Sequence, residues 1–229
     1  MCFSVTADLT VGAVLLPVAV LSVREVKRWR EVPFALLPAV FAVHQFIEAA
    51  VWAGLGGDIS PEATHLAVRA YLFIAMPLLP TLIPLSVLLL EPRDARLRVA
   101  PFVALGMVVS AYLAFVVLAR PVGVIEHPHA LVYQTQVQNQ YVWAVLYVIA
   151  VIGPALMSGY PSIVGFGALN LVALIVVAVF YLQAFASLWC IYAAAVSALV
   201  LLHMVRRRRL TDPHRLQGAS RHPVAPAQP

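Results

Sequence analysis

Charge is what this chain has least of. Of its 229 residues, 11% are Asp, Glu, Lys or Arg and 62% are hydrophobic, where soluble domains hold about 25% and about 45–50%. So few charges do not cover a water-facing surface, and most of the outside must face lipid. Lysine occurs once, at Lys27 in a loop, which excludes a retinal pigment, because that needs a lysine in its last helix. Histidine-rich boxes are absent, which excludes a membrane desaturase. His44 is the sole histidine deep in a span, and His203 sits near the inner end of the last one. Those depths are too poorly matched for bis-histidine haem. The two cysteines, Cys2 and Cys190, form no Cys-x-x-Cys pair, so no close-spaced metal motif exists. No basic residue precedes the first apolar run, so no secretory signal is expected, and Cys2 lies too near the start for a lipoprotein signal. No internal repeat is found.

What the chain has in plenty is apolar runs of membrane length. A span needs about 20 such residues. Punctuated by polar, Pro or Gly residues, the runs cover 9–23, 33–54, 64–90, 100–119, 141–157, 162–182 and 185–205. The sixth and seventh are divided because their joint run is twice a span's length. Basic residues cluster at Arg24–Arg30, at Arg93–Arg98 and from Arg206 onward, leaving only Arg69 and Arg120 elsewhere. Seven spans put all three clusters on one side, as the positive-inside rule requires, whereas six or eight would split them. The expected fold is therefore an all-α bundle of seven transmembrane helices over 1–209, with its N-terminus outside. A flexible basic tail over 210–229 should lie in the cytoplasm. A basic run beside a span marks the cytoplasmic end, so the bilayer is the expected partner and nucleic acid is not.

The connection from Arg120 to Gln140 falls outside. Val122–Ile125, then Glu126-His127-Pro128-His129, then alternation from Tyr133 to Val137 predicts a short β-hairpin. It reads either as an ordinary exposed loop or as a lid. Pro77, Pro80 and Pro84 should bend the third helix and free backbone carbonyls, which in lipid need partners from neighbours or water.

Charged groups inside spans are costly and mark candidate sites. Phe41, His44, Glu48 and Trp52 recur every three to four residues, on one face of the second helix. At the helical rise per residue, Glu48 lies about 9 Å below the outer end and His44 about 15 Å. Arg69 enters on the third helix at about 7 Å, and Trp189-Cys190 on the seventh at about 8 Å. Independent helices thus deliver Glu48, Arg69 and Cys190 to one layer. Glu48 and Arg69 either neutralise each other or serve a site, and Cys2 and Cys190 either form a disulfide or remain thiols. Desolvation moves carboxyl and imidazole groups towards the range useful for proton transfer.

Met1-Cys2-Phe3-Ser4, His44-Gln45-Phe46-Ile47-Glu48-Ala49 with Trp52, and Ser187-Leu188-Trp189-Cys190 together resemble a family of small bacterial membrane proteins of unknown function. The resemblance covers most of the chain and brings no activity. It implies that Cys2, His44, Glu48 and Cys190 belong to one constellation.

Three functions are compatible with these residues. The first is an enzyme with Glu48 and His44 as acid and base, assisted by Arg69, Cys2 and Cys190, on a lipophilic substrate. Trp52, Tyr71, Phe73, Trp143, Tyr181 and Trp189 would line its cavity. A protonated Glu48 there would start isoprenoid cyclisation, aromatic faces steadying the cations. Seven-helix membrane terpene cyclases have this size, but the last helix here lacks a second acid. The second is a zinc or copper site on Cys2, His44 and Glu48, with Cys190 as a further ligand and His65, His127 and His129 delivering the metal. The third is a non-catalytic transporter, receptor or scaffold. No cofactor is identified by the sequence.

The charge clusters yield a direct test. A reporter fused after Pro229 is expected to work only if it matures in the cytoplasm. Activity there of a reporter that matures only outside the cytoplasm would overturn the seven-span orientation.

Overall fold

The structure is a computed structural model that describes residues 4–92, 95–127, 130–180 and 185–209, with residues 130, 176–180, 185–193 and 207–209 described by backbone alone. It consists of seven helical rods and one small hairpin. The first rod is α1 (Val5–Arg24), whose start is fixed by Ser4: its Oγ accepts from the Ala7 N–H at 3.3 Å. After α1, the Glu31 carboxylate accepts from the backbone N–H groups of Lys27 and Arg28 at 2.9 and 3.4 Å, closing the turn. The second rod is α2 (Val32–Ala35) followed by α3 (Leu37–Leu55), broken only at Leu36. Gly57, with φ 84°, takes the left-handed turn position that costs other residues strain. Ser60 then caps α4 (Pro61–Phe73).

The third rod carries the prolines. Between α4 and α5 (Leu79–Leu90) the chain makes a π-turn over Ile74–Leu78. Proline has no N–H to close a helical turn, and the disturbed backbone finds side-chain partners instead. Tyr147 donates its hydroxyl to the Ala75 carbonyl at 2.7 Å, and Ser110 donates to the Pro77 carbonyl at 2.5 Å. Thr81 in turn donates to Ser110 Oγ at 2.7 Å. Neighbouring helices thus supply the partners expected from the sequence, and the bend takes the form of a π-turn.

The remaining elements are α6 (Ala100–Ala119), α7 (Gln140–Leu156), α8 (Pro161–Phe180) and α9 (Phe185–Arg209). Between α6 and α7, β1 (Gly123–His127) pairs antiparallel with β2 (Ala130–Gln134), Val124 opposite Tyr133. The expected hairpin is present but shifted: its first strand starts one residue later and ends two later than expected, and its second strand starts three residues before the alternation that begins at Tyr133. Each rod packs on the next, and α9 closes the ring against α1 while also touching α3. Phe34, Phe41, Ile83, Ile163, Val200 and Met204 are among the side chains that fill the centre.

Four segments are long and apolar enough to cross a membrane: Val5–Arg24, Trp29–Leu55, Pro61–Leu90 and Ala100–Ala119. Gln140–Leu156, Pro161–Ile175 and Ala194–Arg206 are shorter apolar helical stretches among the described residues. Outward-facing Val14, Val108, Phe115 and Val172 are more than half exposed, the arrangement a lipid-facing surface requires. The first helix starts four residues earlier than its apolar run, which brings Asp8 inside it.

At the end where α5 stops, Glu91 is buried and accepts from Ser158 Oγ at 2.6 Å and the Gly159 N–H at 2.8 Å. Its second oxygen lies 4.0 Å from Arg98 Nη2. Nearby in the chain, Ser162 and His203 Nδ1 are 2.6 Å apart. These contacts tie the α7–α8 turn to α5 and α9.

Gly106 on α6 faces the Pro80 carbonyl, which Pro84 deprives of its helical partner, so closely that a Cβ there has no room. Gly106→Ala is expected to cost about 1–3 kcal/mol by overpacking, read as a lower melting temperature of detergent-purified protein. Gly165→Ala, where nothing lies within 4 Å of the added carbon, should leave the melting temperature unchanged or slightly raised.

Candidate functional site

A cluster of buried polar side chains lies between α1, α3, α4 and the hairpin. Spacing along α3 creates its floor: His44, Glu48 and Trp52 share one face, and Gln45 lies beside His44. All are buried, with Glu48 at 0% exposure and His44 at 1%. The wall from α1 is Asp8, also 0% exposed. Ser4 capping starts the helix early enough to put Asp8 in the first turn, where an acid complements the helix dipole. One turn on, Gly12 lets α1 approach α3, since a Cβ there would sit 2.8 Å from the Phe46 ring. This close approach brings Asp8 into the field of Glu48.

Tyr71, delivered by α4, completes the site from the opposite side. Its phenol and Asp8 are the polar neighbours of Glu48. The His44 imidazole stacks on the Tyr71 ring with centroids 4.0 Å apart, and Tyr71 stacks on Tyr133 at 4.1 Å. The hairpin therefore adds a third ring to a stack that begins on α3. Burial, then the Glu48 and Asp8 carboxyls, push the Tyr133 phenol up, so it stays a protonated donor. The Tyr71 phenol approaches the Glu48 carboxyl without closing a hydrogen bond of normal geometry, and among the described residues neither Glu48 oxygen, Trp52 Nε1 nor Tyr133 Oη is in such a bond.

The residues expected from sequence divide into three groups. Glu48, His44, Trp52 and Tyr71 are brought together. Arg69 is not Glu48's counter-ion: its guanidinium donates to the Leu118 carbonyl on α6 at 3.1 Å. Its side chain turns to α6 instead. Trp143 stacks on Tyr112 of α6 at 3.9 Å, in a separate aromatic pair, and Phe73 is 40% exposed. The pairing of Cys2 with Cys190, and the places of Tyr181 and Trp189, lie outside the described residues and side chains. Asp8 and Tyr133 were missed. The only signal for Asp8 was a Ser four residues ahead of it, in capping position. For Tyr133 it was the alternation of its strand.

Residues 1–216 match the model of a family of unknown function, DUF6629. The chain belongs to that family. No curated protein and no solved structure matches it. The match spans all seven rods and the hairpin, so in this DUF6629 protein the polar cluster lies wholly within the family region. Among the described residues no group of three His, Cys, Asp or Glu side chains is arranged to hold a metal ion. His65 and His127 are exposed.

The hairpin's hold on the site is measurable. Tyr133→Ala removes one ring of the stack, a contact worth about 1 kcal/mol beyond its burial. Amide exchange over 123–134 should then accelerate several-fold, whereas Tyr133→Phe should leave it unchanged. Equal exchange in all three proteins would show that the stack does not hold the hairpin.

Proposed function

We propose that this protein is a multi-pass cell-membrane enzyme that uses Glu48 and His44 as acid and base on a lipophilic substrate within the outer half of the bilayer. In this reading seven helices over 1–209 cross the membrane, the N-terminus lies outside and the tail over 210–229 lies in the cytoplasm. The observation that carries the proposal is Glu48: a fully buried carboxyl approached by the Tyr71 phenol, with neither oxygen in a hydrogen bond of normal geometry among the described residues. An unsatisfied buried polar group is expensive, and a native structure keeps one where it has work to do. His44 lies one turn away on the same face, near enough in the chain for the two to serve one substrate from adjacent positions.

The apolar exterior supports a substrate that arrives through lipid, and the ring stack of His44, Tyr71 and Tyr133 supports one with apolar bulk. Isoprenoids, whose double bonds accept a proton from a carboxylic acid, are one such class. Glu48 would give the proton to the substrate, and His44 would take one from the intermediate so formed. Tyr71, between Glu48 and the hairpin, would orient the carboxyl.

Turnover of endogenous lipid tests this. Protein in phosphatidylcholine nanodiscs is incubated with a total membrane lipid extract, and the lipids are compared by mass spectrometry. Wild type should convert at least one lipophile, and Glu48→Gln and His44→Ala should each lower the rate by about 100-fold or more, the scale of general acid–base catalysis. Conversion that survives both substitutions, or no converted lipid with the wild type, would overturn the enzymatic reading in favour of a scaffold or carrier.

A further inference from the structure

Resting on the site just proposed, the orphaned polar atoms point to the end of the ligand that enters it. We infer that the site binds a neutral lipophilic alcohol, its hydroxyl held between Glu48, Trp52 and Tyr133. Three side chains carry polar atoms in no hydrogen bond of normal geometry among the described residues: Glu48 with two oxygens, Trp52 with Nε1 and Tyr133 with Oη. Glu48 and Trp52 are one turn apart on the same face of α3, and Trp52 packs in the same apolar cluster as Tyr71 and Tyr133. Tyr133 lies in the field of Glu48. Trp52 and Tyr133 thus share one cluster, and Glu48 lies one helical turn from Trp52 along α3.

Their chemistry selects the head group. A carboxyl oxygen accepts a hydrogen bond, an indole N–H only donates, and a protonated phenol donates. A hydroxyl matches this set group by group: its O–H donates to Glu48 and its two lone pairs accept from Trp52 and Tyr133. An ammonium has no lone pair for the indole N–H. A carboxylate or phosphate would bring an uncompensated charge into this apolar region, which is costly. The rest of the ligand is apolar, because Val51, Val68, Leu72, Val117 and Leu131 make up the remainder of the surrounding cluster.

A matched series of twelve-carbon probes separates these head groups: 1-dodecanol, dodecylammonium, dodecanoate and dodecyl phosphate. Binding to the full-length protein in phosphatidylcholine nanodiscs is followed by tryptophan fluorescence. Dodecanol should half-saturate at a concentration at least about 10-fold below each of the others, the discrimination expected when a mismatched head leaves buried partners unpaired. Tyr133→Phe keeps the ring and removes one donor, so dodecanol binding should weaken about 5-fold with unchanged melting and unchanged binding of the charged probes. Equal binding of all four probes, a preference for a charged one, or a Tyr133→Phe protein that binds dodecanol like wild type would each overturn the inference. This outcome is independent of turnover: lipid conversion lost with Glu48→Gln but no alcohol preference would remove the head-group assignment alone. Alcohol binding with no conversion would remove the enzymatic reading alone.

Discussion

Backbone polar groups without water are the constraint on which this fold depends. An apolar bundle offers few partners for a carbonyl released from its helical bond, and each one left bare costs several kcal/mol. Three prolines in one rod create that problem repeatedly. Tyr147 and Ser110 answer it with hydroxyls from α7 and α6, and Gly106 allows α6 close against the Pro80 carbonyl. The prolines therefore do more than bend a helix. They dictate which residues the two neighbouring helices must present, and so fix the order and spacing of the middle of the ring.

The other half of the ring is organised around side-chain polarity. Gly12 brings α1 onto α3, and the turn at Gly57 and Ser60 returns the chain as α4. These local features place Asp8, Glu48 and Tyr71 around one point. The same bundle thus treats its polar groups in two ways. Around Pro77 and at one Glu91 oxygen, hydroxyl and amide donors satisfy acceptors and serve as fasteners, and the second Glu91 oxygen faces Arg98. Glu48 is approached by the Tyr71 phenol, and among the described residues neither of its oxygens is in a hydrogen bond of normal geometry. That difference is the physical basis for proposing a site at Glu48 rather than at Glu91.

Much of this architecture was legible from residue order. Apolar run length and punctuation put the fourth helix at 100–119, where it lies, and the others within three residues except at the start of α1 and the end of α9. The face shared by His44, Glu48 and Trp52 followed from helical period alone. The rotation of Arg69 was not legible, because the direction a side chain takes depends on which helix lies beside it, and Arg69 turns to Leu118. Asp8 was hidden by a cap that lengthens α1 beyond its apolar run. Tyr133 was hidden for a different reason: nothing local in a strand records a ring on a distant helix.

Tyr133 also has a consequence for how the chain is made. The ribosome releases α1, α3 and α4 well before β2, so the polar face of α3 is complete in sequence while its last covering ring is still unsynthesised. During that interval Glu48 and Tyr71 have only each other and the α1 wall for company. A nascent chain at this stage lacks the ring that stacks on Tyr71. The hairpin follows α6 in the chain, so the ring stack on α3 and α4 is finished by a segment made later than both helices it covers.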